Sequence, residues 1–127
     1  MRLTIAEIKR AERAYAECAL WAGLDWERCD ESGNPRPLDD EFSVSDLRPE
    51  TLLRIRRDVA TFALSVDAPD LDLVDAEQMG HDLYLTRNGH GAGFWDRGIG
   101  PAGERLSEAA RAMGSHDLDR WDCGADD

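Results

Sequence analysis

Between Asn88 and Gly98 the chain reads NGHGAGFWDRG, with four glycines in eleven residues. No long regular element runs through such a stretch, because every glycine gives up backbone entropy and a packing side chain. It therefore divides the chain, and what flanks it decides the fold. His81 to Arg87 and Ala92 to Arg97 are both rich in strand formers, including Leu83, Tyr84, Leu85, Thr86, Phe94 and Trp95. Asn-Gly between two such runs is a hairpin signal, since both residues accept positive φ. The stretch predicts an antiparallel hairpin turning at Asn88–Gly91, with Gly89, Gly91 and Gly93 as turn and bulge residues. In a strand Phe94 and Trp95 face opposite sides, so one ring enters the core and the other covers a helix or stays exposed. GHGAG also has the composition of a phosphate cradle. It joins two strand-like runs and opens no helix, so the helix N-terminus that such a site needs is missing.

Away from this stretch the pattern is helical. Thr4-Ile5-Ala6-Glu7 fits a capping box, and Ile5, Ile8, Ala11, Tyr15, Cys18, Ala19 and Ala22 recur at helical spacing up to the stop at Gly23. Residues 24–48 read as irregular, with Trp21, Leu24 and Trp26 docking the loop and Phe42 and Val44 making a brief extended piece. A second helix begins at Pro49, with Leu52, Ile55, Val59, Phe62 or Ala63, and Val66 as its buried stripe and Arg54, Arg56, Arg57 and Asp58 facing water. A short helical piece over 67–80 ends at Gly80. Pro101 opens a third helix lined by Leu106, Ala109, Ala110 and Met113 and stopped by Gly114. His116 to Trp121 reads as an edge strand. The order gives an α+β fold with a small antiparallel sheet, one domain over residues 1–127 with 119–127 as a fraying tail.

Charge narrows the function. The net charge is -12. Residues 30–50 carry seven acids against two arginines, 66–82 carry six acids and no base, and 115–127 carry five acids against Arg120. Phosphate binding needs clustered basic side chains, so direct nucleic-acid binding and adhesion to an anionic membrane are both disfavoured. The chain has no apolar run of bilayer length, and Leu3-Thr4-Ile5 passes at once into charge, which predicts neither signal peptide nor transmembrane helix. Cys18, Cys29 and Cys123 are odd in number and far apart, which fits a reduced, cytoplasmic setting.

Catalytic readings rest on few residues. A small metal-dependent or hydrolytic site would use His81 with Asp82, or His90 with Asp96 across the hairpin. No paired ligand motif accompanies them, so no metal and no cofactor is expected. The acids over 67–77 are spaced suggestively for calcium but lack the central glycine and final glutamate of a calcium loop. No cysteine or serine sits in a nucleophile motif. An exposed Trp beside Arg, as in Trp95-Asp96-Arg97, has instead the composition of a binding hot spot.

GHDLYLTRNGHGAGFWDRG, Gly80 to Gly98, with LDDEFSVSDLRPETL, Leu38 to Leu52, and LSEAARAMG, Leu106 to Gly114, resembles a family of small acidic proteins encoded by bacteriophages and other mobile elements. Members carry an aromatic pair where this chain has Leu83-Tyr84, and end in a strand richer in Gly and Tyr than SHDLDRWDCGADD. The resemblance implies a phage or mobile-element context, in which small acidic proteins often inhibit host defence. It carries over no catalytic residue. The expectation is a non-enzymatic interaction protein of the anti-CRISPR or anti-restriction kind. Its carboxylates would take the basic surface of a host nucleic-acid-binding complex, steered over a Debye length. The expected contacts are Asp39, Asp40, Glu41, Asp67, Asp70, Asp72, Asp75 and Glu77, joined by Trp95 and Arg97.

Overall fold

The computed structural model describes residues 4–124, and its fold is α+β, with α-helices packed about a small antiparallel sheet. Helix α1 spans Ile5–Ala22. Thr4 Oγ1 accepts from the Glu7 amide at 3.1 Å while Glu7 Oε1 accepts from the Thr4 amide at 3.0 Å, so two of the helix's orphan donors are satisfied. Helix α2, Pro49–Ser65, buries Ile55, Val59 and Phe62 along one stripe, as its periodicity predicts. Each such side chain contributes about 1.5–3 kcal/mol of apolar transfer. Helix α5, Pro101–Ala112, buries Leu106 and Ala110. Arg54 and Asp58, expected in water, are half-buried on α2 and reach Asp122 and Arg87.

The short helix α3, Ala68–Leu71, leads into α4, Ala76–Arg87. Helix α4 runs through Gly80 rather than stopping there. A Cβ at Gly80 would overlap the Ala11 carbonyl oxygen, so α1 and α4 touch backbone to backbone and this is the most extensive helix pair of the fold. Met79, Leu83, Tyr84 and Leu85 are buried, and so are Asp82, Thr86 and Arg87. Tyr84 meets Tyr15 of α1 edge-on at 5.2 Å.

Residues 81–87 are thus helix and not strand, and the hairpin expected at Asn88–Gly91 is absent. The Asn-Gly signal belongs to a helix end. The His90 amide donates to the Leu85 carbonyl at 3.0 Å and the Gly89 amide to Thr86 at 3.3 Å, with Gly89 at φ +68. This is the Schellman arrangement, which needs a left-handed residue after the helix as a tight hairpin does. Residues Phe94–Arg97 form a 3₁₀ turn that inserts Phe94 against Phe62, rings stacked at 5.3 Å, and leaves Trp95 half-exposed.

The sheet lies elsewhere. Strand β1, Leu24–Cys29, pairs antiparallel with β2, Pro35–Pro37, through a turn in which Asp30 Oδ1 accepts from Ser32 and Asn34. The alternation of β1 is inverted. Asp25 points inward and is 1% exposed, while Leu24 and Trp26 point out. Trp21, Leu24 and Trp26 therefore do not dock the loop as expected. Val44–Asp46 is a 3₁₀ turn and not an extended piece. No strand forms over 116–121. Asp119 caps a 3₁₀ turn at Arg120–Cys123, which buries Asp122 and Cys123, so residues to 124 are anchored where fraying was expected. The rest of the predicted tail, 125–127, lies outside the described residues.

Candidate interaction surface

The carboxylates divide into those the fold consumes and those it leaves outside. Asp82 of α4 is fully buried, and Arg97 of the 3₁₀ turn grips it twice: Nε to Oδ2 at 2.8 Å and Nη2 to Oδ1 at 2.6 Å. Gln78 Nε2 adds a third bond at 2.8 Å. The same grip holds the Arg97 guanidinium charged more firmly than usual. Arg87, 7% exposed, donates to Asp58 at 2.8 Å, to the Tyr15 hydroxyl at 3.3 Å, and to the carbonyls of Gly114 and Met113. Asp122 accepts from Thr51 Oγ1 at 3.0 Å and faces Arg54. Buried charges of this kind are tolerated only when paired and hydrogen-bonded.

Three of the expected contact residues serve the fold. Asp70 is 6% exposed and bound through both oxygens to Arg105 at 2.7 Å, which holds its carboxyl below the ordinary aspartate range. It is no solvated loop acid. Arg97 is committed to Asp82. Asp75 caps α4, accepting from the Gln78 amide at 2.7 Å. Glu77 meets Arg10 at 3.1 Å on the surface, and Asp40 stands 3.9 Å from Arg36. Asp39, Asp67 and Asp72 are exposed. Trp95 keeps its expected partial exposure, with the Arg111 guanidinium 5.2 Å from its ring centre.

Two of the three acidic blocks meet. Arg120 Nη1 donates to Asp25 at 2.8 Å and to Glu41 at 2.7 Å, and its Nε lies 3.1 Å from Glu27. One guanidinium from the 115–124 segment thus gathers three carboxylates of the 24–50 segment, which leaves the junction negative. The 67–77 block instead borders a groove of about 540 Å³ between α1 and α4, lined by Glu17, Cys18, Trp21, Glu77, His81 and Arg97 among others.

The residues proposed for catalysis take separate partners. His90 Nε2 stands 2.9 Å from Asp117, which also accepts from the Tyr84 hydroxyl at 2.7 Å. Asp96 accepts from the Gly93 amide. His81 Nδ1 lies 3.3 Å from Asp82, whose oxygens Arg97 already holds. His81 shares the groove with Cys18, but burial pushes that thiol up to about 12, which leaves it protonated and a poor nucleophile. Among the described residues no three metal-ligating side chains converge, and no helix is long and apolar enough to cross a membrane.

The sequence reading missed the surface around β1. Leu24, Trp26 and Trp121 are exposed at 42%, 71% and 48%. Glu27, Asp117 and Asp119 stand beside them. The available signal was the local order Asp-Trp-Glu and Arg-Trp-Asp: a tryptophan charged on both sides has no apolar neighbour to carry it inward. No known protein family, curated protein or solved structure matches the chain.

Proposed function

We propose that this is a non-enzymatic acidic interaction protein of phage or mobile-element origin. It occupies the basic surface with which a host defence complex of the CRISPR or restriction kind holds nucleic acid. The observation that supports this most is the pairing of exposed indoles with carboxylates that line the same hollows. Trp21 and Trp26 are 61% and 71% exposed. They stand beside Glu17 and Glu77 on one side and Glu27, Asp117 and Asp119 on the other. Large aromatic side chains supply contact energy, and surrounding charge sets the sign of the partner and the rate of encounter. The phage context comes from the resemblance over Gly80–Gly98 and its flanks.

The test is displacement of DNA. Purified CRISPR effector and restriction complexes of a candidate host are loaded with labelled DNA and titrated with this protein at low and high salt. The reading expects release of DNA from one complex near stoichiometric addition, weakened as salt screens the contact. DNA occupancy unchanged by a large excess in every complex would sink it.

A further inference from the structure

Two of the four tryptophans in this chain take an arginine. Arg111 lies 5.2 Å from the ring centre of Trp95, and Arg48 lies 4.8 Å from that of Trp121. Among the described residues no arginine covers Trp26, the most exposed of the four indoles. Trp26 also separates two hollows. One, about 340 Å³, is lined by Leu24, His90, Asp117 and Asp119 with Trp26 itself. The other, about 300 Å³, is lined by Leu24, Glu27, Asp119 and Trp121 with Trp26 again. Both have a carboxylate at the wall and an indole face alongside. That pair of features holds a guanidinium by stacking and by charge.

The carboxylates here are set by the fold. Asp119 Oδ1 accepts from the Trp121 amide at 2.9 Å, which fixes its side chain over the shared wall of the hollows. Asp117 is fixed by Tyr84. Arg120 lines the second hollow, but it is divided among Asp25, Glu41 and Glu27 and leaves the rim negative. Among the described residues β1 pairs with β2 alone. β2 itself is blunted by Pro35 and Pro37, which donate no backbone hydrogen bond.

We infer that the face formed by Trp26 and its two flanking hollows is a docking site for an extended, arginine-bearing segment of a partner protein, with one guanidinium on each side of the indole. In an extended segment side chains two positions apart share a face, about 6.5–7 Å apart, which lets neighbouring hollows be filled by an Arg-x-Arg pattern. The inference rests on the proposed function and names the chemistry its partner must present there.

The probe is the peptide Gly-Arg-Ser-Arg-Gly, blocked at both ends, titrated into isotopically labelled protein and followed by backbone amide shifts. Saturable shifts confined to residues 24–27 and 117–121 are expected. Trp26→Ala, an exposed change the fold tolerates, weakens binding about tenfold, and Glu27→Gln weakens it about threefold. The lysine counterpart of the peptide binds several-fold more weakly, because an ammonium lacks the planar stacking face. Shifts centred elsewhere, equal affinity for the lysine peptide, or unchanged affinity in Trp26→Ala would each overturn the site. So would a concentration-dependent dimer that Trp26→Ala dissolves, which would make a second copy of this chain the occupant. A defence complex that still releases DNA on addition of Trp26→Ala would sink this site while leaving the proposed function standing. Peptide binding at Trp26 without any displacement of DNA would do the reverse.

Discussion

Helices α2 and α4 are built on opposite rules. Helix α2 lies at the periphery. It turns Ile55, Val59 and Phe62 inward, and Arg56 and Arg57 outward. Helix α4 is enclosed, with Leu83, Tyr84 and Leu85 buried in succession and Asp82, Thr86 and Arg87 buried beside them. The same residue types therefore carry opposite meanings. Arg57 on α2 solvates a face, whereas Arg87 on α4 ties three parts of the fold together. The difference shows how an acidic chain can use ionic pairs as internal fasteners and still present a negative exterior.

The sharpest way to break this comparison is to remove the same side chain from each helix. Arg87→Ala leaves Asp58 facing the protein without its partner and strips the Tyr15 hydroxyl and two carbonyls of a donor. A loss of about 3 kcal/mol is expected, against less than about 0.5 kcal/mol for Arg57→Ala. Urea unfolding of the two variants checks it. Equal losses would erase the distinction between the helices.

Next in size is Gly80→Ala. The new methyl meets the Ala11 backbone, which has no side-chain freedom to yield, so α1 and α4 must separate. An overpacking loss of about 2–3 kcal/mol is expected. A Gly80→Ala variant as stable as the parent, judged by its melting midpoint, would mean that the helices do not touch there. Smaller again is Gly89→Val. Gly89 sits at φ +68 past the end of α4, where a β-branched residue costs about 1–2 kcal/mol. The variant sharpens the comparison when read by amide exchange, because fraying should begin at Thr86 and Arg87 and leave α2 untouched.

The mildest effect concerns acid. The Arg105 bond lowers the Asp70 carboxyl in the folded protein. Its contribution is therefore present above the ordinary aspartate value near pH ~4 and is lost as pH falls through the lower, native value. Asp70→Asn should melt with a shallower dependence on pH below that point, and nearly like the parent under strong acid. A slope identical to the parent's would mean that the Asp70–Arg105 pair does not form in solution.

How much was legible follows from the same contrast. α1, α2 and α5 bury one face each, so their stripes and caps could be read from Thr4, Pro49, Pro101 and Gly114. α4 offers no stripe, because from Asp82 to Arg87 every residue is buried, polar and apolar alike, and no polar face sets the period. Its β-favouring Leu-Tyr-Leu-Thr run and the Asn-Gly beyond it then read as a hairpin. β1 escaped because its alternation is reversed, with Asp25 inward toward Arg120 and Trp26 outward. The acidic blocks were visible as composition. Which of their members are consumed, such as Asp70 by Arg105 and Asp82 by Arg97, depends on partners 35 and 15 residues away and on no local rule.

The central claim is that ionic fasteners about α4 hold the fold, leaving a different set of acids at the surface. A double-mutant cycle on Asp82 and Arg97 tests it most directly. Asp82→Ala, Arg97→Ala and the double variant are unfolded in urea alongside the parent. The account predicts that the two changes are strongly non-additive, with a coupling of about 1–3 kcal/mol. Losses that simply add, to within about 0.5 kcal/mol, would contradict it and free Arg97 to act as a contact residue.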